Sequence, residues 1–567
     1  MTSLREPGLG PIVGHTTDTS CRIWIRGADP DDKGAYLHSN RRTVGIVALI
    51  EADGKPIAKP EVYYFRLHRK YDRTGTFSLG EGDCIKPGRT SQKLKPSTVY
   101  TARVGTLSID DPFADDQNVE SGVLSDRLPE ASVWLDDLME LRDSRSVATF
   151  RTFATASDGP GDLNFILGSC RYPGLLGKIK EADEIFGPLK QEADGNGAAG
   201  SARPADFVLM VGDQIYADLL NRFVPIGLAD TFEEFQERYL EAFGSRNMRR
   251  LLRQVPTYMV LDDHEIEDNW TQDRIATQEK RRLFNFAIGA YMSYQWSHSP
   301  RTFQQRLYYF FECNGYPFFV LDTRTQQFME DTRDNLGDNH LLGRPTIGGE
   351  EPSQLDRLLR WLVLQQQKRG NAPKFVVTPS VFAPNPMGAR EGRGDRDTSD
   401  EKKAKWKEKS DSWPAFPETR RAILSCIIKN GIQNVVFLAG DIHCSNVAAM
   451  EFAGSDKARG IKAFSVTSSA FYWPFFFADG EPSNYVHDSK AKDQADTFQI
   501  DANHTMDYRA WNFTQEDNFC RLDVDKATHK LTVTAMNSEG EVIRKKNWLG
   551  QAVGKPITAD FQLAPGW

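Results

Sequence analysis

The seven cysteines stand at 21, 84, 170, 313, 426, 444 and 520, and no pair of them has CxxC spacing. That odd, scattered set indicates neither a disulfide framework nor a structural zinc site. The opening residues, "MTSLREPGLGPIVG", lack a basic start followed by an apolar stretch. Nowhere does a run approach the roughly 20 apolar residues of a membrane span. The chain therefore reads as cytoplasmic, with the reservation that a removed export signal leaves the same sequence. Excess positive charge is missing too: 70 Lys and Arg face 78 Asp and Glu, a formal charge of -8. Such a surface has no general attraction for nucleic acid, so any phosphate binding must be local. No internal repeat is present.

What is present is a long chain of ordinary soluble composition, 40% hydrophobic and 26% charged. Its 567 residues exceed what one hydrophobic core usually supports, which predicts at least two domains. From about residue 10 to 155, short alternating runs such as "CRIWIRG", "TVGIVALIE", "VYYFRLH" and "VYTARVGTL" are separated by Gly, Pro, Asp and Asn clusters. This pattern predicts an antiparallel sandwich. "LKPSTVYTARV", with Tyr100, resembles the tyrosine segment of a fibronectin-type or immunoglobulin-like module. The turn-rich "ASDGPGD", residues 156 to 162, reads as a linker, giving an N-terminal domain over 1–156 and a second over 157–567.

Beyond the linker, apolar strands each stop at a polar group: "LNFILGSC", "ADFVLMVGD", "TYMVLDDHE", "PFFVLDTR", "KFVVTPS" and "NVVFLAGDIH". Helical patterns lie between them, for example "QLDRLLRWLVLQQ". Strands alternating with helices imply an α/β core with a covered sheet, whose ligands bind beyond the carboxyl ends of the strands. Residues 388 to 412 are highly charged with almost no aliphatic content and read as a solvated loop, with a mobile lid as the alternative. Near the C-terminus "FCRLDVD" and "KLTVTAMN" predict a β-hairpin.

The chemistry gathers at the strand ends. In "LAGDIHCSN", Asp441 and His443 are two residues apart, and on an extended chain they would point the same way. Asp213 and Tyr216 come from "VGDQIYAD", Asp262, Asp263 and His264 from "LDDHEIED", and Cys170 with Arg171 from "LGSCRYPG". Taken singly, each carboxylate could be a helix cap and Cys170 a small buried hydrophobe. Together they form a set of hard oxygen donors with imidazole, thiol and phenol that can hold two cations. Converging carboxylates would otherwise repel one another and become partly protonated. Two metals suit phosphoester cleavage because they activate water and neutralise charge on the phosphoryl group.

In order, G-S-C, G-D-x-x-Y, D-D-H-E and G-D-x-H resemble the alkaline phosphatase D family, the PhoD-like branch of the calcineurin-like metallophosphoesterases. "GPIVGHTTDTSCRIWIRG" resembles the opening of that family's sandwich domain, and "FFVLDTR", "SDSWPAF" and "FSVTSSAF" add weaker matches. The resemblance implies a four-layer αββα metallophosphoesterase sandwich preceded by an all-β immunoglobulin/fibronectin-like domain. It also implies a ferric ion held by Cys170, Asp213, Tyr216 and His443. Asp213 would bridge to a second metal, calcium, shared with Asp263 and Asp441; one or two calcium ions are expected, and manganese or cobalt could substitute. Cys170 stands where the wider superfamily has D-x-H, and Asp441 replaces the first histidine of G-H-x-H, which fits the PhoD-like branch.

The expected activity is phosphatase or phosphodiesterase hydrolysis of a phosphomonoester or phosphodiester, with water activated for in-line attack on phosphorus. His264 is expected to bind phosphate or protonate the leaving oxygen, Arg171 to contact non-bridging oxygens, and Arg324 to be a second such contact. Rival readings are an enzyme acting mainly on diesters, phospholipase D-like or nuclease, and a non-catalytic protein stabilised by its metals.

Overall fold

A computed structural model describes residues 4–28, 41–81, 91–110, 128–156, 159–174, 179–197, 203–219, 227–329, 339–344, 351–387, 412–475, 480–546 and 552–567. The charged segment expected at 388–412 lies outside them up to residue 411, as do residues 157 and 158 of the turn-rich linker.

Near the N-terminus, the strands Leu9–Thr16, Cys21–Arg26 and Thr74–Leu79 pair antiparallel in one sheet. A second antiparallel sheet is built around Arg41–Ala52 and Val99–Asp110, joined by Val62–Arg66 and Val147–Arg151. The two share a core of Cys21, Ile23, Ile25, Val47, Phe65, Phe77, Val104 and Phe150. Alternation in "CRIWIR" explains the division, because successive side chains leave a strand on opposite faces. Tyr100 Oη accepts a hydrogen bond from the Lys95 backbone N–H at 2.9 Å, tying the strand back to the turn before it.

Trp24, on the opposite face of that strand, is fully buried, and its indole N–H donates to Ser293 O at 2.8 Å in the helix Gln278–Tyr294. Leu9, Ile12 and Trp24 thus belong to the same apolar cluster as Phe235, Tyr239 and Tyr291 of the later helices. One outer face of the sandwich is therefore part of the core of the rest of the molecule.

Two large sheets follow. Sheet I runs, in spatial order, Thr257–Val260, Phe207–Val211, Leu163–Gly168, Asn518–Asp525, Lys530–Asn537 and Thr558–Gln562; its first three strands are parallel. The expected late hairpin forms its other half, with Asn518–Asp525 antiparallel to Leu163–Gly168. In sheet II the parallel strands are Tyr316–Val320, Lys374–Val377, Val435–Ala439 and Ala463–Thr467, with antiparallel strands at both sides.

The sheets face each other across one apolar layer: Phe165, Leu167, Leu209 and Val211 from sheet I meet Phe318, Val320, Phe375, Val377, Val436 and Leu438 from sheet II. The alternate residues point outward. Ile166, Val208 and Met210 meet the helices Phe186–Ala193, Phe232–Gly244 and Gln278–Tyr294. Phe319, Val376 and Phe437 meet Leu355, Leu358, Leu362, Ile423 and Ile427 of Gln354–Arg369 and Pro417–Asn430. Because both faces are covered, these strands read as continuous apolar runs. Each fully buried Val, Leu, Ile or Phe contributes about 1.5–3 kcal/mol. Among the described residues, no helix is long and apolar enough to cross a membrane.

Candidate metal centre

The parallel strands of both sheets end at one edge of the molecule, and there the polar residues that follow them meet. From sheet I come Cys170, Asp213 and the pair Asp262 and Asp263; from sheet II come Arg324, Asp441 and His443. Coordinating atoms of Cys170, Asp213 and His443 lie within 4.8 Å of one another, as do those of Asp213, Asp263 and His264, and of Asp262, Asp263 and Asp441.

Tyr216 completes the first group. Its hydroxyl lies 3.5 Å from Asp213 Oδ2 and 3.3 Å from His443 Nε2, while Cys170 Sγ is 3.4 Å from Asp213 Oδ2. Asp213 and Asp263 are each common to two of the three clusters.

The backbone is bent to achieve this. Cys170, Asp213, Asp441 and His443 all have left-handed φ, at 59°, 56°, 73° and 49°. Side-chain-bearing residues enter that region at a cost of order 1–3 kcal/mol, which concentrates at functional sites. For Asp441 and His443 this corrects the extended-chain expectation: they converge through a tight turn between two strands, not by strand alternation. Gly212, at φ +90°, could not be replaced cheaply, since a Cβ there would lie 2.4 Å from Asp262 Cβ.

Burial and neighbouring charges perturb Asp213, Cys170, Tyr216, His443 and Asp263. Asp213 is pushed well above the usual carboxylate range by burial, with Asp263, Asp262 and Glu265 adding to the shift against His264. Cys170 and Tyr216 are likewise raised, by burial first and then by neighbouring negative groups. His443 falls to about 3 through burial and the facing His264, so its imidazole is neutral and its lone pair is free for coordination. Asp263 goes the other way, to about 2; burial opposes this, and Arg324 with His264 outweighs it.

The Arg324 guanidinium is fully buried, paired through Nε with Asp262 and 3.5 Å from both Asp263 and Asp441. Thiol, phenol, neutral imidazole and a shared carboxylate on one side suit a ferric ion, and carboxylates on the other suit a hard divalent ion. The donor set could therefore hold metal ions.

Arg171 is not brought to this cluster. Its acidic neighbours are Asp183 and Glu241, and it is buried beneath the helices of sheet I. Cys170 itself is in the left-handed region, so the step from it to Arg171 is not an extended one, and the acidic groups that act on the arginine are those of the outer helices.

Several residues that hold the site went unread in the sequence. Glu265 accepts from the backbone N–H groups of Asp213, Gln214 and Asp262 at 2.8–3.0 Å, clamping two loops together. Asp218 Oδ1 lies 2.7 Å from His264 Nδ1, and the His264 ring stacks on Tyr216 at 4.2 Å. Burial by itself would lower the His264 pKa, but Asp218, Asp263 and Asp213 overcome it and hold it well above the ordinary value. Trp473 stacks on His443 at 3.6 Å, with Tyr172 and Phe475 edge-on to it. The carboxylates next to the motifs, Asp218 in "YAD" and Glu265 in "DDHE", were the visible signals.

The family described as PhoD-like phosphatase matches residues 197–532, more than half of the chain. The chain belongs to this family. Among curated PhoD-like relatives, alkaline phosphatase D of Bacillus subtilis (strain 168) is 25% identical over 268 residues, 42% of this chain. That alignment spans 41% of the relative's length, about two fifths. A solved structure described as "Structure of PhoD" superimposes with a TM-score of 0.57 at 15% identity, covering 94% of this chain and 86% of its own. It shares the mixed α/β, sheet-rich PhoD-like fold.

Proposed function

We propose that this chain is a metal-dependent phosphoester hydrolase, an alkaline phosphatase or phosphodiesterase. The observation that carries the proposal is the meeting of Cys170, Asp213, Tyr216 and His443 beside Asp263 and Asp441 at the ends of strands from both sheets. In this reading the first four hold a ferric ion. Asp213 is shared with a calcium ion held by Asp263 and Asp441. The flanked pair of sheets is read as a four-layer αββα metallophosphoesterase unit over 157–567. Residues 1–156 are read as an immunoglobulin/fibronectin-like unit, supported by the Tyr100 contact to the Lys95 N–H.

When bound, the metals would polarise the phosphoryl oxygens and bring the pKa of water toward neutrality. Asp218 orients His264, whose remaining ring nitrogen binds phosphate and delivers a proton to the leaving oxygen. Arg324 holds Asp262, Asp263 and Asp441 together and balances their charge. Arg171, turned toward Asp183 and Glu241, has no part in phosphate contact here.

The test is metal analysis of the purified protein with a visible spectrum, alongside hydrolysis of p-nitrophenyl phosphate and its bis-ester with and without calcium. Iron, a phenolate charge-transfer band and calcium-dependent turnover are the expected results, and the ratio of the two substrates chooses between phosphatase and diesterase. Protein that stays colourless and inactive after reconstitution with iron and calcium would overturn the proposal.

A further inference from the structure

We propose that Ser469 is a positioning residue for the Cys170 thiolate, its hydroxyl supplying the hydrogen bond that sets how strongly the sulfur donates to the metal. This rests on the reading of Cys170 as an iron ligand.

Two serine hydroxyls touch the sulfur, Ser169 at 3.2 Å and Ser469 at 3.1 Å. A hydroxyl carries one proton. The Ser169 proton is committed to Ser468 O at 2.9 Å, so Ser169 turns a lone pair to the sulfur. The Ser469 hydroxyl already accepts from the His443 backbone N–H at 3.0 Å, and its proton is directed to Cys170 Sγ. Ser469 is thus the hydroxyl that donates to the thiolate. It also ties Cys170, from sheet I, to the backbone of His443, from a turn between two strands of sheet II.

Its position is held from behind. The Ser469 N–H donates to Ser445 Oγ at 2.9 Å, Ser445 Oγ donates to Asn518 Oδ1 at 2.5 Å, and Asn518 Nδ2 returns to Ser469 O at 3.2 Å. All three residues are buried. A closed polar ring at the junction of the two sheets therefore aims one hydroxyl at one sulfur. A hydrogen bond to a coordinated thiolate withdraws electron density from it, weakening the metal–sulfur bond and raising the metal's reduction potential.

The experiment compares iron-loaded wild-type protein with Ser469→Ala, Ser169→Ala and Cys170→Ser by resonance Raman spectroscopy, reduction potential and resistance to a chelator. In Ser469→Ala the iron–sulfur stretch should rise in frequency, the potential should fall, and iron loss to the chelator should slow. Ser169→Ala should leave the stretch in place. Wild-type protein transferred to D2O should show an isotope shift of the same stretch, a readout that needs no variant to fold. An unshifted stretch in both D2O and Ser469→Ala overturns the role of Ser469. An iron–sulfur stretch that is absent from the wild type, or that survives Cys170→Ser, overturns the ligand reading itself, and the two failures are thereby distinguished.

Discussion

His264 is gripped on two sides, by Asp218 at Nδ1 and by the Tyr216 ring beneath it, which leaves its second nitrogen for the role proposed for it at phosphate. Replacing it with alanine should lower kcat by about 10²- to 10⁴-fold while metal content stays at the wild-type level, measured side by side. Asp218→Asn should move kcat in the same direction by less, since the ring keeps its stack on Tyr216 but loses its charged anchor. At this scale the chemistry-bearing residues were legible because each follows an apolar run directly. Their partners were not. Asp218 is 46 residues from His264, Glu265 is 52 from Asp213, and Ser469 is 299 from Cys170, distances that only the tertiary fold closes. Arg171 shows the limit of adjacency: it neighbours a candidate ligand in sequence, yet its acidic neighbours in space are Asp183 and Glu241.

Among the elements, the strand-to-loop junctions carry the cost of the site. Gly212→Ala would combine an unfavourable φ with a contact of 2.4 Å to Asp262 Cβ. It should destabilise the protein by about 1–3 kcal/mol and loosen metal retention, because Asp213 and Asp262 shift together; urea unfolding with metal analysis of the same sample checks both. The strands and principal helices were readable from their apolar periodicity. The left-handed turn at Asp441 and His443 was not, because neither residue announces a positive φ as glycine does. The order of strands within each sheet was equally hidden, since pairing joins segments with no local signature of one another.

At the scale of the whole molecule, the proposed metal ligands straddle two sheets, so bound ions would cross-link them. Stripping the metals with a chelator should lower the melting temperature; a ligand present at 100 times its Kd contributes about 2.7 kcal/mol, and calorimetry with and without chelator reads the loss. The seam between sandwich and body should respond to acid. His298 is fully buried there, and burial with the facing Arg22 lowers its pKa from 6.5 to about 3. The unfolded chain therefore binds a proton below about pH 6.5 that the folded one refuses, so stability should fall as pH drops from 6.5 toward 3. His298→Gln should flatten that part of the stability profile in pH-dependent denaturation.

The pairing of Leu163–Gly168 with Asn518–Asp525 has a further consequence, for the order of events during synthesis. The strand that leads to Cys170 must wait for a neighbour made some 350 residues later, roughly 20–70 s at 5–20 residues per second. Until then one edge of that strand is unpaired and the polar ring through Asn518 is open. A nascent chain therefore cannot finish sheet I before Asn518–Asp525 is made, and a translational stall before Asn518 should leave a species that depends on chaperones to stay unaggregated.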